Sequence, residues 1–226
     1  MAEIIVALDL PTRDAALRWL DRAPGVRWVK VGSVLFTREG PALVRELVGR
    51  GLKIFLDLKW HDIPNTVAGG VEGARALGVT MATVHTLGGA EMMRAAAIAA
   101  AGDVGIVGVT VLTSYTGAAY SAAMGRGSVE TGEEVRRLAS SAAEAGLKGL
   151  VCSPHEIDEV RAVLPSDAWI VVPGIRRPGD VTGDQVRVAG PAEAARAGAT
   201  HLVVGRPLLQ ASEPAAAVRE FQEAAR

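Results

Sequence analysis

Eight short runs of β-branched and aliphatic residues alternate with helix-patterned segments along the whole chain, and few architectures absorb that order. Strands are expected over Ile4–Leu10, Trp28–Gly32, Lys53–Lys59, Met81–His85, Gly105–Leu112, Gly149–Ser153, Trp169–Ile175 and His201–Gly205. Between them lie Ala-, Leu-, Glu- and Arg-rich segments such as Arg13–Arg22, Glu39–Arg50, Val67–Leu77 and Gly132–Ala145. Several of these stop at a glycine (Gly51, Gly78, Gly146, Gly198), the residue that closes a helix in a left-handed conformation. Eight β/α units with no break in composition predict an α/β fold, a (β/α)₈ TIM barrel, as a single domain over residues 1–226. An open, doubly wound parallel sheet is the alternative that the same alternation allows. With aromatic residues at only 4%, the core has to be aliphatic.

Charge narrows the choice of partner. The 24 basic and 25 acidic residues nearly cancel, so no face need be strongly basic and nucleic acid is not an expected partner. The single cysteine, Cys152, can form no internal disulfide, which suits a reducing cytoplasm, and its apolar setting reads as a small buried hydrophobe. Glu3 stands where a secretory signal would be basic, and no apolar run approaches the ~20 residues of a membrane span. A cytoplasmic protein without a membrane partner is therefore expected.

Two connections are longer than the rest, Thr113–Ser128, rich in Gly, Ser and Ala, and Arg176–Gly190. Both follow strands, which puts them on the barrel face where such enzymes keep their sites.

Side chains two apart on a strand share a face. On the third strand Ile54, Leu56 and Leu58 would face the helices, while Lys53, Phe55, Asp57 and Lys59 would face the barrel interior. The same parity turns Asp9 and Lys30 inward on the first two strands. Four charges of alternating sign should thus meet at the C-terminal mouth from three consecutive strands. Structural ion pairs are the bland reading. Buried pairs seldom stabilise a fold, however, so charges at the catalytic end of adjacent strands are better explained as a site. Asp62 follows in the turn before Pro64, itself suited to the first position of a helix.

The eighth strand runs into Gly205-Arg206-Pro207, and the seventh into Pro173-Gly174-Ile175-Arg176. Gly205 lets an anion approach the backbone and Arg206 adds a fixed charge, at the position where barrels commonly hold a phosphate. The tripeptide alone could be an ordinary turn, but its place makes a phosphorylated substrate the expectation.

The string Asp57-Leu-Lys-Trp-His-Asp62-Ile-Pro-Asn-Thr66 resembles the signature of bacterial orotidine 5′-phosphate decarboxylases, with Trp60 where Phe is more usual. Val6-Ala-Leu-Asp9, Val29-Lys30-Val-Gly32, Val111-Leu-Thr-Ser114, Pro173-Gly-Ile-Arg176, Asp184-Gln185 and Gly205-Arg206-Pro207 match it in order along the chain. The resemblance implies decarboxylation of orotidine 5′-phosphate to uridine 5′-phosphate, the last step of de novo pyrimidine nucleotide synthesis, without cofactor or metal. By the same resemblance Lys59 protonates C6 of the pyrimidine and Asp57 lies against the substrate carboxylate. Lys30 and Asp62 complete an alternating network. It further implies a homodimer in which Asp62 and Thr66 enter the partner's site. Asp9 and Lys30 would hold the ribose, and Thr113 would contact substrate with Ser114 adjoining. Gln185, Arg206 and the Gly205 backbone would hold the phosphate, while Arg176 begins a closing loop.

A related reading is a magnesium-dependent sugar-phosphate decarboxylase or aldolase, which shares a D-x-K-x-x-D string; Lys30 stands where such an enzyme places an acidic ligand. A phosphate-ligand-binding barrel without catalysis has no need of alternating charges at its mouth. Of the four histidines, His61 falls between the key residues and His85 is expected inward at the end of the fourth strand. His155 and His201 show no partner in the sequence, and no His/Cys spacing resembles a zinc site.

Overall fold

The computed structural model describes residues 1–177, 179–180 and 187–226. Eight parallel strands close into a barrel in sequence order: β1 (Glu3–Ala7), β2 (Trp28–Gly32), β3 (Lys53–Trp60), β4 (Met81–His85), β5 (Gly105–Val109), β6 (Gly149–Val151), β7 (Trp169–Val172) and β8 (His201–Val204). Closure is made by β1 against β8, from Glu3 opposite His201 to Val6 opposite Val204. The open-sheet alternative is thereby excluded.

The connecting helices are α1 (Arg13–Asp21), α2 (Ser33–Gly49), α3 (Pro64–Ala76), α4 (Gly89–Ala100), α5 (Gly117–Ala123), α6 (Thr131–Glu144), α7 (Ile157–Arg161) and α8 (Pro191–Arg196). After β8 come α9 (Arg206–Leu209) and α10 (Pro214–Ala224). Local chemistry sets their ends. Thr12 accepts the Ala15 N–H at 3.2 Å to start α1, and Pro64 opens α3 where its missing N–H costs nothing. The four glycines expected after helices all have positive φ, between 77° and 107°.

Side-chain parity splits the core into two layers. Ile4, Val6 and Leu8, Val29 and Val31, and Ile54 and Leu56 all pack outward under the helices. Ile5, Ala7, Phe55, Met81, Val107, Val171 and Val203 fill the interior, so the barrel is a packed core rather than a pore. Its N-terminal end is plugged by Trp28, Trp169 and His201, whose ring centroids lie 5.1–6.2 Å apart. Gly105 makes room for this plug, since a Cβ there would fall 2.1 Å from the Trp169 ring. Burial holds the His201 imidazole down to a pKa of about 4, so it sits there neutral.

Two expectations need correction. Five strands end earlier than their apolar patterning suggests: β1, β5, β6, β7 and β8 stop at Ala7, Val109, Val151, Val172 and Val204. Val111, Cys152 and Ile175, beyond those ends, remain buried, because packing continues after ladder pairing has stopped. The connection 113–128 is also less open than its Gly/Ser composition implies. It contains α5, capped by Thr116, and buried Tyr120 donates its hydroxyl to Glu134 of α6 at 3.0 Å. Among the described residues no helix is long and apolar enough to cross a membrane.

Candidate active site

The C-terminal mouth of the barrel opens into a cavity of about 560 Å³, within the usual range of small-ligand sites. Asp9, Lys30, Asp57 and Lys59 line one side of it, and Thr113, Ser114, Arg176, Gly205 and Arg206 line the rest. Residues on or just beyond six of the strands, β1, β2, β3, β5, β7 and β8, therefore share one chamber.

On the charged side Lys30 Nζ lies 2.8 Å from Asp9 Oδ1 and 3.7 Å from Asp57 Oδ2. Lys59 Nζ lies 2.8 Å from Asp57 Oδ1. Both oxygens of Asp57 thus face an ammonium group. Lys30 and Asp57 are well covered, with side chains 12% and 13% exposed, whereas Lys59 (40%) and Asp9 (58%) open to the mouth. Only the inner half of the charge chain is desolvated. Asp9 sits two residues past the end of β1 and still reaches Lys30, because its strand continues inward as a turn with Leu8 N–H donating to Lys30 O at 3.0 Å.

The third strand deforms to place Lys59. Leu56 pairs with Ala82 and Trp60 with Val84, so four steps along β3 answer two along β4. Lys59, inside this bulge, has φ 51°, a left-handed conformation that costs an L-residue roughly 1–2 kcal/mol. Its backbone N–H donates to Thr83 Oγ1 at 2.8 Å, and the same hydroxyl donates to Asp57 Oδ1 at 3.2 Å. Gly32, at the end of β2, leaves space for the Lys30 ammonium, as a Cβ there would stand 2.8 Å from Nζ.

Asp62 and Thr66 are exposed and do not line this cavity. Asp62 Oδ1 accepts the Ile63 N–H at 2.6 Å, and Ile63 between them is 67% exposed. Gln185 lies outside the described residues, as does much of the connection 176–190. Its described ends are tied down. Arg176 N–H donates to Ala189 O at 3.0 Å. Arg187 forms an ion pair with buried Glu156 and donates to Leu112 O at 3.1 Å.

His61 and His85 are not in the cavity wall. They stack on each other with centroids 5.6 Å apart and planes 22° apart. Burial, then the nearby His61 and Lys59, lower the His85 pKa to about 4. Cys152 is buried and touches the cavity, and burial pushes its thiol up to about 12, so it remains a neutral packing group.

Thr83 and Arg187 are the residues that motif reading passes over, and Gly32, though part of the Val29-Lys30-Val-Gly32 motif, has no role assigned to it there. Thr83 has the inward parity of Met81 and His85, which is the one sequence signal that marks it. Among the described residues no group of three or more His, Cys, Asp or Glu is arranged to hold a metal ion.

Residues 2–221 match the model of the orotidine 5′-phosphate decarboxylase / HUMPS family. The chain is 52% identical over 217 residues to an orotidine 5′-phosphate decarboxylase of Anaeromyxobacter dehalogenans, covering 96% of this chain and 95% of that protein. It is 48% identical over 223 residues to one of Opitutus terrae, covering 97% and 96%. A crystal structure of orotidine 5′-phosphate decarboxylase from Lactobacillus acidophilus superimposes with a TM-score of 0.88 at 35% identity, covering 100% of both chains. With the family match spanning nearly the whole barrel and its charged mouth, the chain belongs to the orotidine 5′-phosphate decarboxylase / HUMPS family.

Proposed function

We propose that this chain removes carbon dioxide from orotidine 5′-phosphate to give uridine 5′-phosphate, with Lys59 as the proton donor. The observation that carries the reading is the Lys30–Asp57–Lys59 arrangement at the mouth of a cavity that also reaches Gly205 and Arg206. The relatives bearing the decarboxylase name, at about half identity over nearly the full chain, support it.

In this mechanism the C6–carboxylate bond breaks heterolytically and carbon dioxide leaves. The electron pair stays on C6 as an sp² carbanion, in the plane of the pyrimidine ring and orthogonal to its π system, so the ring does not delocalise it. The Lys59 ammonium, already fixed by Asp57, stabilises that charge and then transfers its proton to C6. The resulting amine is reprotonated from solvent. Asp57 lies beside the substrate carboxylate, and their repulsion is relieved as carbon dioxide departs. Lys30 compensates the charge of Asp57 from the other side. Asp9 and Lys30 bind ribose hydroxyls. Thr113 meets the substrate from the connection after β5. Arg206, the Gly205 backbone and Gln185 hold the phosphate, and Arg176 flanks it. Phosphate contacts remote from C6 supply binding energy that positions the reacting ring.

The functional unit in this reading is a homodimer. Asp62 and Thr66 complete the partner's site, Asp62 extending the charge alternation to a fourth member and Thr66 touching ribose. Their exposure, their place outside the lining of their own cavity and the exposed Ile63 between them support this. A magnesium-dependent sugar-phosphate reaction would need an acidic ligand on β2 where Lys30 stands.

An absorbance assay of purified protein with orotidine 5′-phosphate, with and without EDTA, tests the reading. Loss of the orotidine absorbance at equal rates in both is expected. No turnover, or turnover abolished by EDTA and restored by magnesium, would reject it.

A further inference from the structure

Thr83 is fully buried on the inward face of β4, behind the Asp57–Lys59 pair and outside the cavity wall. Its position matters because of the β3 bulge. Between the Leu56–Ala82 and Trp60–Val84 pairs, Asp57, Leu58 and Lys59 together oppose only Thr83. A bulge of this kind leaves backbone groups without a ladder partner and re-aims the side chains on it. The Lys59 N–H is such a group. A part-buried N–H without an acceptor carries a desolvation cost, and here the acceptor is the Thr83 hydroxyl at 2.8 Å.

That bond decides what the hydroxyl does next. A lone pair is committed to the Lys59 N–H, and the proton is donated to Asp57 Oδ1 at 3.2 Å. The same oxygen receives the Lys59 ammonium at 2.8 Å. One side chain therefore fixes the backbone of the left-handed residue and the carboxylate onto which that residue folds back. Val at this position would keep the shape and lose both bonds.

We propose that Thr83 is a positioning residue for the Lys59–Asp57 pair, its hydroxyl holding the bulge in the form that aims the Lys59 ammonium into the site. The inference rests on Lys59 being the proton donor. Misplacement of a reacting group by about 1 Å can cost on the order of 100-fold in rate. Removing the hydroxyl should therefore act on turnover rather than on binding of the phosphate and ribose, which other elements hold.

The test is steady-state kinetics of Thr83→Val and Thr83→Ser beside Lys59→Ala, with orotidine 5′-phosphate as substrate. Thr83→Val is expected to lower kcat roughly 10- to 100-fold with KM within about threefold, and Thr83→Ser to keep kcat within about threefold of the unchanged protein. If Thr83→Val fails to fold, Thr83→Cys, a poor donor and acceptor of smaller size, carries the same expectation. Full turnover in the Val or Cys variant, beside an inactive Lys59→Ala, would overturn the positioning role and leave the decarboxylase reading standing. Equal loss in the Val and Ser variants would overturn it too, since packing and not the hydroxyl would then be responsible. An active Lys59→Ala protein would remove the proton donor, and the positioning role with it.

Discussion

Lys59 folds back onto Asp57, two residues earlier on the same strand, and meets its Oδ1 at 2.8 Å. Neighbours at that spacing on a regular strand point the same way without converging. Here the bulge and the left-handed φ of 51° at Lys59 bring the two ends together. The other oxygen of Asp57 faces Lys30 at 3.7 Å, so a single largely buried carboxylate organises two cations. Charges of one sign this close would repel. Alternation lets all of them remain in a small volume, and a substrate that brings its own carboxylate then disturbs a balanced set.

Lys59→Ala is expected to abolish turnover and leave the fold intact. The ammonium is 40% exposed, and a pair of that exposure contributes no more than about 1 kcal/mol to stability. Turnover should fall by several orders of magnitude, since both the proton and the positive field are lost. A melting curve and an assay on protein made free of host enzyme check the two halves. Retention of more than a small fraction of activity would remove Lys59 from its role.

Gly32→Ala probes whether Lys30 must stand where it does. Gly32 has φ −97° and ψ −178°, which alanine adopts freely, so the backbone is not strained. The added Cβ would lie 2.8 Å from Lys30 Nζ and 3.5 Å from Asp9 Oδ1, and the ammonium has to move. A drop in kcat/KM of about tenfold or more is expected, of the order that one misplaced polar contact costs, with stability changed by less than about 1 kcal/mol. Gly49→Ala, where a Cβ meets nothing within 4 Å, is the control and should be as active as the unchanged protein. Equal activity of the two variants would show that Lys30 tolerates displacement.

Much of this was legible in the chain itself, for reasons that differ by element. Strand starts could be read because glycine or polar turns precede them, and parity correctly separated Phe55 from Ile54 and Leu56. Asp9, Lys30, Asp57 and Lys59 were brought to one place by that parity alone. The ends at Gly32 and His85 could be read, but five others could not, because residues such as those after Val109 and Val151 stay buried without pairing. The bulge was hidden as well, since register is a property of two strands together and Thr83 acquires its partners only through it. The helix Gly117–Ala123 hid in a composition that suits loops, its order coming from the Tyr120–Glu134 contact. Arg187 could be placed only once Glu156 and Leu112 had been folded beside it.

The histidine pair predicts a pH dependence. His85 is held to a pKa of about 4, first by burial and then by His61 and Lys59, against an ordinary value of 6.5. Its Nδ1 accepts the Leu87 N–H at 3.3 Å, which assigns the proton of the neutral ring to Nε2. The unfolded chain therefore binds a proton between pH 6.5 and about 4 that the folded protein does not. The His85 contribution to stability is complete above pH 6.5, and is lost progressively as pH falls toward 4. In a titration followed by NMR, the His85 ring signal should stay flat from pH 8 to about 5 and move only below that. A midpoint near 6.5 would place the ring in water and contradict the stacked, half-buried geometry.

The last prediction concerns the subunit boundary, and it follows from Asp62 and Thr66 lying off their own cavity wall. In a dimer with twofold symmetry each subunit lends the same residues to the other. Lys59→Ala and Asp62→Ala proteins, each homodimeric, then carry a defect in both sites and are expected to be inactive. In the heterodimer one site combines the altered Lys59 of one subunit with the altered Asp62 of its partner. The other site has neither change. Mixing under conditions that allow exchange should restore activity to one site in each heterodimer, or about a quarter of all sites when subunits redistribute at random. If Asp62 serves its own subunit, every site keeps one defect and mixing restores nothing. Differently tagged subunits establish that exchange has taken place, so an absence of recovery would count against the shared site. Because Lys59→Ala alone tests the chemistry, that outcome would relocate Asp62 and leave the role of Lys59 as it was.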